Sequence, residues 1–150
     1  MLTEIIHKNP GLHFSEMIRV SGLKNAVLSY YLAKLESSGT IKIEREKNKT
    51  RFFNPSITYE EIKIIIFLRK ETSRQILIVL HDSDGLKFKN IVKKVGKSAP
   101  TISQNLSKLI ESDLIILKLE NSEKKYYIKK NPILKKLIKK CQSNDSSKKL

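Results

Sequence analysis

The sequence predicts a mainly α fold with small β-hairpins (α+β): two tandem domains of one plan joined by an apolar helix. Three observations lead there. First, residues 11–41 recur without a gap 74 positions later, at 85–115. Gly11/Gly85, Leu12/Leu86, Phe14/Phe88, Gly22/Gly96, Ser29/Ser103, Leu32/Leu106, Lys34/Lys108, Leu35/Leu109, Ser38/Ser112 and Ile41/Ile115 coincide, and Met17/Ile91, Ile18/Val92, Arg19/Lys93 and Leu28/Ile102 exchange like for like. The offset persists to Phe52-Phe53 and Tyr126-Tyr127. Solenoid units run roughly 20–50 residues, so this longer period marks two copies of a small domain. Second, each copy shows helical apolar spacing followed by strand alternation. Third, 30 Lys+Arg stand against 15 Asp+Glu, a formal charge of +15, which favours an anionic partner, nucleic acid ahead of an acidic membrane surface.

The first domain is expected over residues 1–56. Glu4–His7 ends a short helix, stopped by Asn9-Pro10-Gly11, where proline and glycine together break a helix; little room is left for a full first helix before Ile5. Phe14–Val20 places Phe14, Met17 and Ile18 at helical spacing. Ser21-Gly22 closes that helix, and Leu23-Lys24-Asn25 makes the turn, with Asn25 as the expected N-cap. Ala26–Ser37 aligns Leu28, Tyr31, Leu32 and Leu35 on one stripe, so Tyr31 is expected in the core. Thr40–Glu46 alternates apolar and polar residues and returns, after Lys47-Asn48-Lys49, as Thr50–Phe53, a hairpin.

Residues 57–71 form the connection. Thr58-Tyr59-Glu60-Glu61 reads as a capping box, followed by Ile62, Ile64, Ile65, Ile66, Phe67 and Leu68. A helix apolar on nearly every side must be buried on more than one, packed between domains or in a homodimer seam. The second domain, 72–131, repeats the first: Ser73–His81 with a capping box at Thr72–Gln75, a turn at Asp82–Gly85, helices Phe88–Val95 and Pro100–Glu111, and strands Leu114–Glu120 and Lys124–Ile128. Pro100 suits a first helical turn, where no N–H donor is needed. Residues 132–150 hold an amphipathic helix, Ile133–Lys140, a second place where a homodimer could form, and a Ser/Asn/Lys-rich basic tail from Gln142 expected to be disordered.

Two short helices joined by a glycine turn, with a hairpin behind, make a winged helix-turn-helix. An α-helix fits the DNA major groove, where base edges present distinguishable donors and acceptors, and the second helix of the pair enters N-terminus first. The runs Asn9-Pro10-Gly11-Leu12-His13-Phe14-Ser15-Glu16, Val27–Ile41 and Ala99–Leu109 resemble archaeal winged helix-turn-helix transcriptional regulators of the ArsR/MarR-like superfamily. That resemblance implies a cytoplasmic, nucleoid-associated regulator of double-stranded DNA. Metal-sensing members of the superfamily use cysteine or histidine clusters, and this sequence has none.

Helical phase selects the candidate DNA-facing residues. In the first recognition helix Leu28, Leu32 and Leu35 point inward, leaving Lys24, Asn25, Val27, Ser29, Tyr30 and Lys34. In the second, Ile102, Leu106 and Leu109 point inward, leaving Lys97, Ser98, Thr101, Ser103, Gln104 and Lys108. Gln104 is the leading base reader, because an amide can bond adenine bidentately; Tyr30 is its positional equivalent. The lysines and hydroxyls are expected on phosphates, which position without specifying. Wing candidates are Arg45, Lys47, Lys49 and Arg51, then Lys118, Lys124 and Lys125. If both helices lie on one face, they engage sites about one helical turn apart, ~34 Å.

Other classes find little footing. Cys141 is the only cysteine, so no internal disulfide is expected, which fits a reducing cytosol. The N-terminus lacks a signal-peptide pattern, and the longest apolar run, Ile64–Leu68, falls far short of the ~18 residues of a membrane span. His7, His13 and His81 are scattered, and His81-Asp82-Ser83-Asp84 sits where a helix ends, with residues ordinary in turns. No glycine-rich phosphate loop and no nucleophile beside a base appears. No enzyme, metal or cofactor is therefore expected. The rival functions are a non-specific architectural nucleoid protein and a winged-helix protein-interaction module.

Overall fold

The computed structural model describes residues 1–148. They fall into two compact units that divide between Ile65 and Ile66. Each is built on the order helix, helix, helix, hairpin, and the mixed helix and hairpin fold matches the expected class.

The first unit contains α1 (Leu2–Lys8), β1 (Leu12–His13), α2 (Phe14–Ser21), α3 (Asn25–Ser37), β2 (Lys42–Arg45) and β3 (Thr50–Phe53). Leu2, Ile6, Leu12, Met17, Leu28, Leu32, Ile41 and Phe52 form its core, each full burial contributing ~1.5–3 kcal/mol. The two-residue strand β1 was not foreseen. It pairs antiparallel with β3, Leu12 opposite Phe52 and His13 opposite Arg51, so the sheet order is β1-β3-β2 and β3 is central. Arg51, Phe52 and Phe53 are consequently all buried.

His13 also caps α2: its Nδ1 accepts from the Glu16 N–H at 3.4 Å, and Glu16 Oε1 accepts from the His13 N–H at 3.1 Å. Burial, with the charges of Lys49, Arg51 and Arg19, lowers the His13 pKa against the opposing pull of Glu16. A base with a depressed folded pKa is protonated first in the unfolded chain. The first unit is therefore expected to lose stability as pH falls through the ordinary histidine value of about 6.5 towards the lower folded value. Urea midpoints at about pH 8 and pH 5.5 measure the loss, and His13→Asn, which keeps a capping side chain, should flatten it.

In α3 two local expectations fail. The N-cap is Lys24, with no side-chain cap, instead of Asn25. Tyr31 is 48% exposed, because it sits at the edge of the stripe that Leu28 and Leu32 bury. Gly22 closes α2 at φ 72°, a left-handed position suited to glycine; Gly96 does the same for the helix Phe88–Val95 at φ 76°.

Helix α4 (Tyr59–Leu68) carries the expected capping box: Thr58 Oγ1 accepts from the Glu61 N–H at 3.1 Å, and Glu61 Oε1 accepts from the Thr58 N–H at 3.2 Å. Ile62, Ile64, Ile65 and Leu68 are buried, and the division between units falls inside this helix.

The second unit contains α5 (Glu71–His81), α6 (Phe88–Val95), α7 (Ala99–Glu111), β4 (Ile115–Glu120), β5 (Glu123–Ile128) and α8 (Pro132–Lys148). Helix α5 packs against α6, α7, β5 and α8. Ile76, Leu77, Leu80, Ile91, Ile102, Leu106, Leu109, Leu134 and Ile138 are buried. Leu86 bridges to Tyr126, at the same 74-residue offset as Leu12 to Phe52. The box expected at Thr72–Gln75 is absent, since α5 begins at Glu71 with Lys70 as N-cap. The Ser73 hydroxyl is instead buried and donates to Asn105 Oδ1 at 2.9 Å, while Asn105 Nδ2 donates to the Thr101 carbonyl at 2.8 Å. The turn after α5 is as expected, with Ser83 Oγ donating to the Leu80 carbonyl and accepting from the Gly85 N–H. Helix α8 runs past the expected end at Lys140 to Lys148; the last two residues of the expected disordered tail lie outside the described residues. No helix among the described residues is long and apolar enough to cross a membrane.

Candidate nucleic-acid interface

In α7 the leucine stripe sets the outward face. Ile102, Leu106 and Leu109 are buried, which leaves Ser103, Gln104 and Lys108 exposed. Ser98 caps the helix, its Oγ accepting from the Thr101 N–H, and Pro100 lies in the first turn. Thr101 is half-buried. Lys97, also half-buried, lies 3.9 Å from Glu71. The helix start therefore presents small hydroxyls rather than bulk, a surface suited to phosphate oxygens.

In α3 Leu28 and Leu32 are buried. Lys24, Asn25, Ser29 and Lys34 are exposed, as are Val27 and Tyr30, the latter by 55%. The Lys34 ammonium rests 4.8 Å from the Tyr30 ring centre, and Tyr30 meets Tyr31 edge to face at 5.4 Å. This surface is aromatic and carries two exposed lysines, unlike the amide and hydroxyl face of α7.

The first hairpin brings one correction. Arg51 is not a cationic finger. It is 2% exposed, its Nε donates to Glu46 Oε2 at 2.8 Å, and its Nη1 donates to the Gly11 carbonyl at 2.7 Å. As a central-strand residue it has no route to solvent. Arg45 is exposed but forked onto Glu36, at 3.2 and 3.1 Å. Lys47 and Lys49 are exposed.

In the second hairpin Lys118 and Lys124 are exposed and Lys125 half-buried. Lys118 sits 5.2 Å from the Tyr127 ring centre. The Tyr127 hydroxyl bonds Glu120, which pushes its pKa up. Lys87 donates to Glu123 Oε1 at 2.9 Å and holds that carboxyl below its usual range. Leu117 and Leu119, 41% and 71% exposed, were not singled out from the sequence. The signal was present, because the Ile115, Leu117, Leu119 alternation runs further than a small core needs. Among the described residues, no three His, Cys, Asp or Glu side chains gather where a metal could bind.

Residues 69–116 match the family described as winged helix-turn-helix DNA-binding. The match takes in α5, α6, α7 and the start of β4. The chain is 26% identical over 120 residues to an uncharacterised HTH-type transcriptional regulator of Methanocaldococcus jannaschii. That alignment covers 80% of this chain but only 30% of the relative's length. A crystal structure of a MarR-family transcriptional regulator from Silicibacter pomeroyi overlaps 56% of this chain and 60% of its own, at 13% identity and a TM-score of 0.44.

Proposed function

We propose that the chain is a transcriptional regulator that binds double-stranded DNA sequence-specifically, with α3 and α7 as recognition helices and the hairpins as wings on the backbone or minor groove. One observation carries this proposal. Inside the segment that matches a DNA-binding family, α7 buries Ile102, Leu106 and Leu109 and turns Ser103, Gln104 and Lys108 to solvent. An amide flanked by a hydroxyl and a cation combines a bidentate reader of adenine with phosphate anchors. The recurring sequence, the common element order and the equivalent Leu12–Phe52 and Leu86–Tyr126 pairings support a duplicated domain. One chain then offers two reading helices to DNA in the cytoplasmic nucleoid. The main apolar residues of α4 and α8 are already buried in the single chain, which argues against a homodimer seam through either helix.

Selection of bound duplexes from a random pool, followed by fluorescence anisotropy across a salt series, tests the proposal. An enriched motif is expected, with affinity falling at a log–log slope near −0.9 per phosphate contacted. Gln104→Ala should weaken the selected duplex by ~1–3 kcal/mol and relax preference at one position while leaving the salt slope unchanged. Lys108→Gln should reduce that slope by about one contact. Binding that ignores salt, or none to any duplex, overturns the proposal. Equal affinity for selected and random duplexes favours the architectural rival.

A further inference from the structure

We infer that the β4–β5 hairpin is an apolar wedge for the DNA minor groove: Leu119 enters between adjacent base pairs and bends the duplex. This rests on the DNA-binding function proposed above and assigns the second wing a specific action on that partner.

Side chains alternate along a strand, and directly paired residues share a face. Ile115, Leu117 and Leu119 therefore lie on one face of the hairpin, with Lys124 opposite Leu119 and Tyr126 opposite Leu117. Exposure climbs outward along this row, from 2% at Ile115 through 41% at Leu117 to 71% at Leu119. The base of the row belongs to the core and its outer half is uncovered. A large apolar side chain that stands free at a hairpin tip gains nothing for the fold, so its partner lies outside the unit.

The tip is built to present that side chain firmly. Only Asn121 and Ser122 join the strands, and both are left-handed, at φ 50° and 66°. Two successive positive φ values define the tight two-residue turn that matches strand twist. Leu119 is held one ladder step behind the Glu120–Glu123 pair that closes this turn.

Charge identifies the partner. The two carboxylates at the tip lie on the opposite face, where each is held: Glu123 by Lys87 and Glu120 by the Tyr127 hydroxyl. The leucine face carries Lys124, exposed beside Leu119, while Lys118 lies on the opposite face against the Tyr127 ring. An apolar point with an ammonium group directly beside it suits a polyanion with an apolar interior. Duplex DNA is such a partner once a base step opens, and leucine is among the side chains that wedge minor-groove steps apart. The first hairpin offers no such point: no large apolar side chain of β2 or β3 is exposed. The wedge therefore belongs to the second unit alone.

The experiment uses the full chain and end-labelled duplexes of about 30 base pairs carrying the selected motif, with 2-aminopurine placed at successive steps of the wing's footprint. Wild type should shorten the end-to-end distance by energy transfer, as a bend of ~20–90° does, and brighten 2-aminopurine at one step. Leu119→Ala should abolish both signals and weaken binding by roughly 3- to 10-fold, with the salt slope unchanged. Leu119→Phe should restore bend and brightening. Because Leu119 is exposed, neither variant should shift the urea midpoint, and that is checked on the same samples. Wild type bound to a straight, dark duplex overturns the wedge and leaves the DNA-binding proposal standing, as does a bend that survives Leu119→Ala. A bend unchanged while Leu119→Ala dissolves self-association in sedimentation overturns it in favour of a protein-docking face. Failure to bind any duplex instead defeats the proposed function itself.

Discussion

Arg51→Ala is expected to remove about 3 kcal/mol from the first unit, the range for breaking a buried charge pair from one side. Domains of this size are stable by roughly 0.05–0.15 kcal/mol per residue, so the loss is a large share of the whole. The geometry explains why. The guanidinium bridges Glu46 and the Gly11 carbonyl, groups on two different segments, and without it the buried carbonyl has lost its charged donor. Arg51→Lys should recover only part of the loss, because one ammonium on a flexible stem cannot reproduce a rigid fork. A urea melt resolves both variants. The alternative, a DNA-contacting arginine, makes the opposite forecast: an unchanged melt and a salt slope about one contact shallower. That outcome would refute the structural role.

Gly85→Ala is the second large effect. Gly85 has φ +104°, and a Cβ there would stand 2.6 Å from Tyr127 Cζ. The backbone strain alone is ~1–3 kcal/mol. The ring must also swing out, and with it go the Glu120 hydrogen bond and the Lys118 contact. A total loss of about 2 kcal/mol or more is expected. Gly96→Ala is the control: φ is +76° and nothing lies within 4 Å of the added carbon, so only the strain of about 1 kcal/mol should appear. The double variant Gly85→Ala/Tyr127→Ala relieves the collision and should be less destabilised than the two single effects summed. Equal urea midpoints for Gly85→Ala and Gly96→Ala would show that Tyr127 does not pack as described.

The helices and hairpins were legible because their cause is local. Phe88–Val95 is an α-helix over the expected residues, set by the spacing of Phe88, Ile91, Val92 and Val95 and ended by a left-handed glycine. The inward rows Leu28, Leu32 and Ile102, Leu106, Leu109 follow from the same period, and the outward faces of α3 and α7 follow from those rows. What was not legible depends on distant partners. Arg51 reads as a wing cation because a charge count carries no information about β1, the strand of only two residues that buries it. Ser73 reads as half of a cap because local spacing cannot reveal Asn105 in another helix. Tyr31 fell on the wrong side of a stripe edge, where 100° per residue leaves an aromatic ring free to turn either way. Leu119 looked like one more strand residue, since alternation announces a face without saying where the core stops.

The Ser73–Asn105 pair has a consequence for how α7 could change over evolution. It acts as a spline on a shaft. If α7 rolled by one residue, Asn105 would lose its hydroxyl partner and Ser73 would be stranded in an apolar interior, so every outward position keeps a permanent compass bearing. New target preferences can then be written one letter at a time on the free side, at Ser103, Gln104 or Lys108, while the bearing itself stays locked from behind.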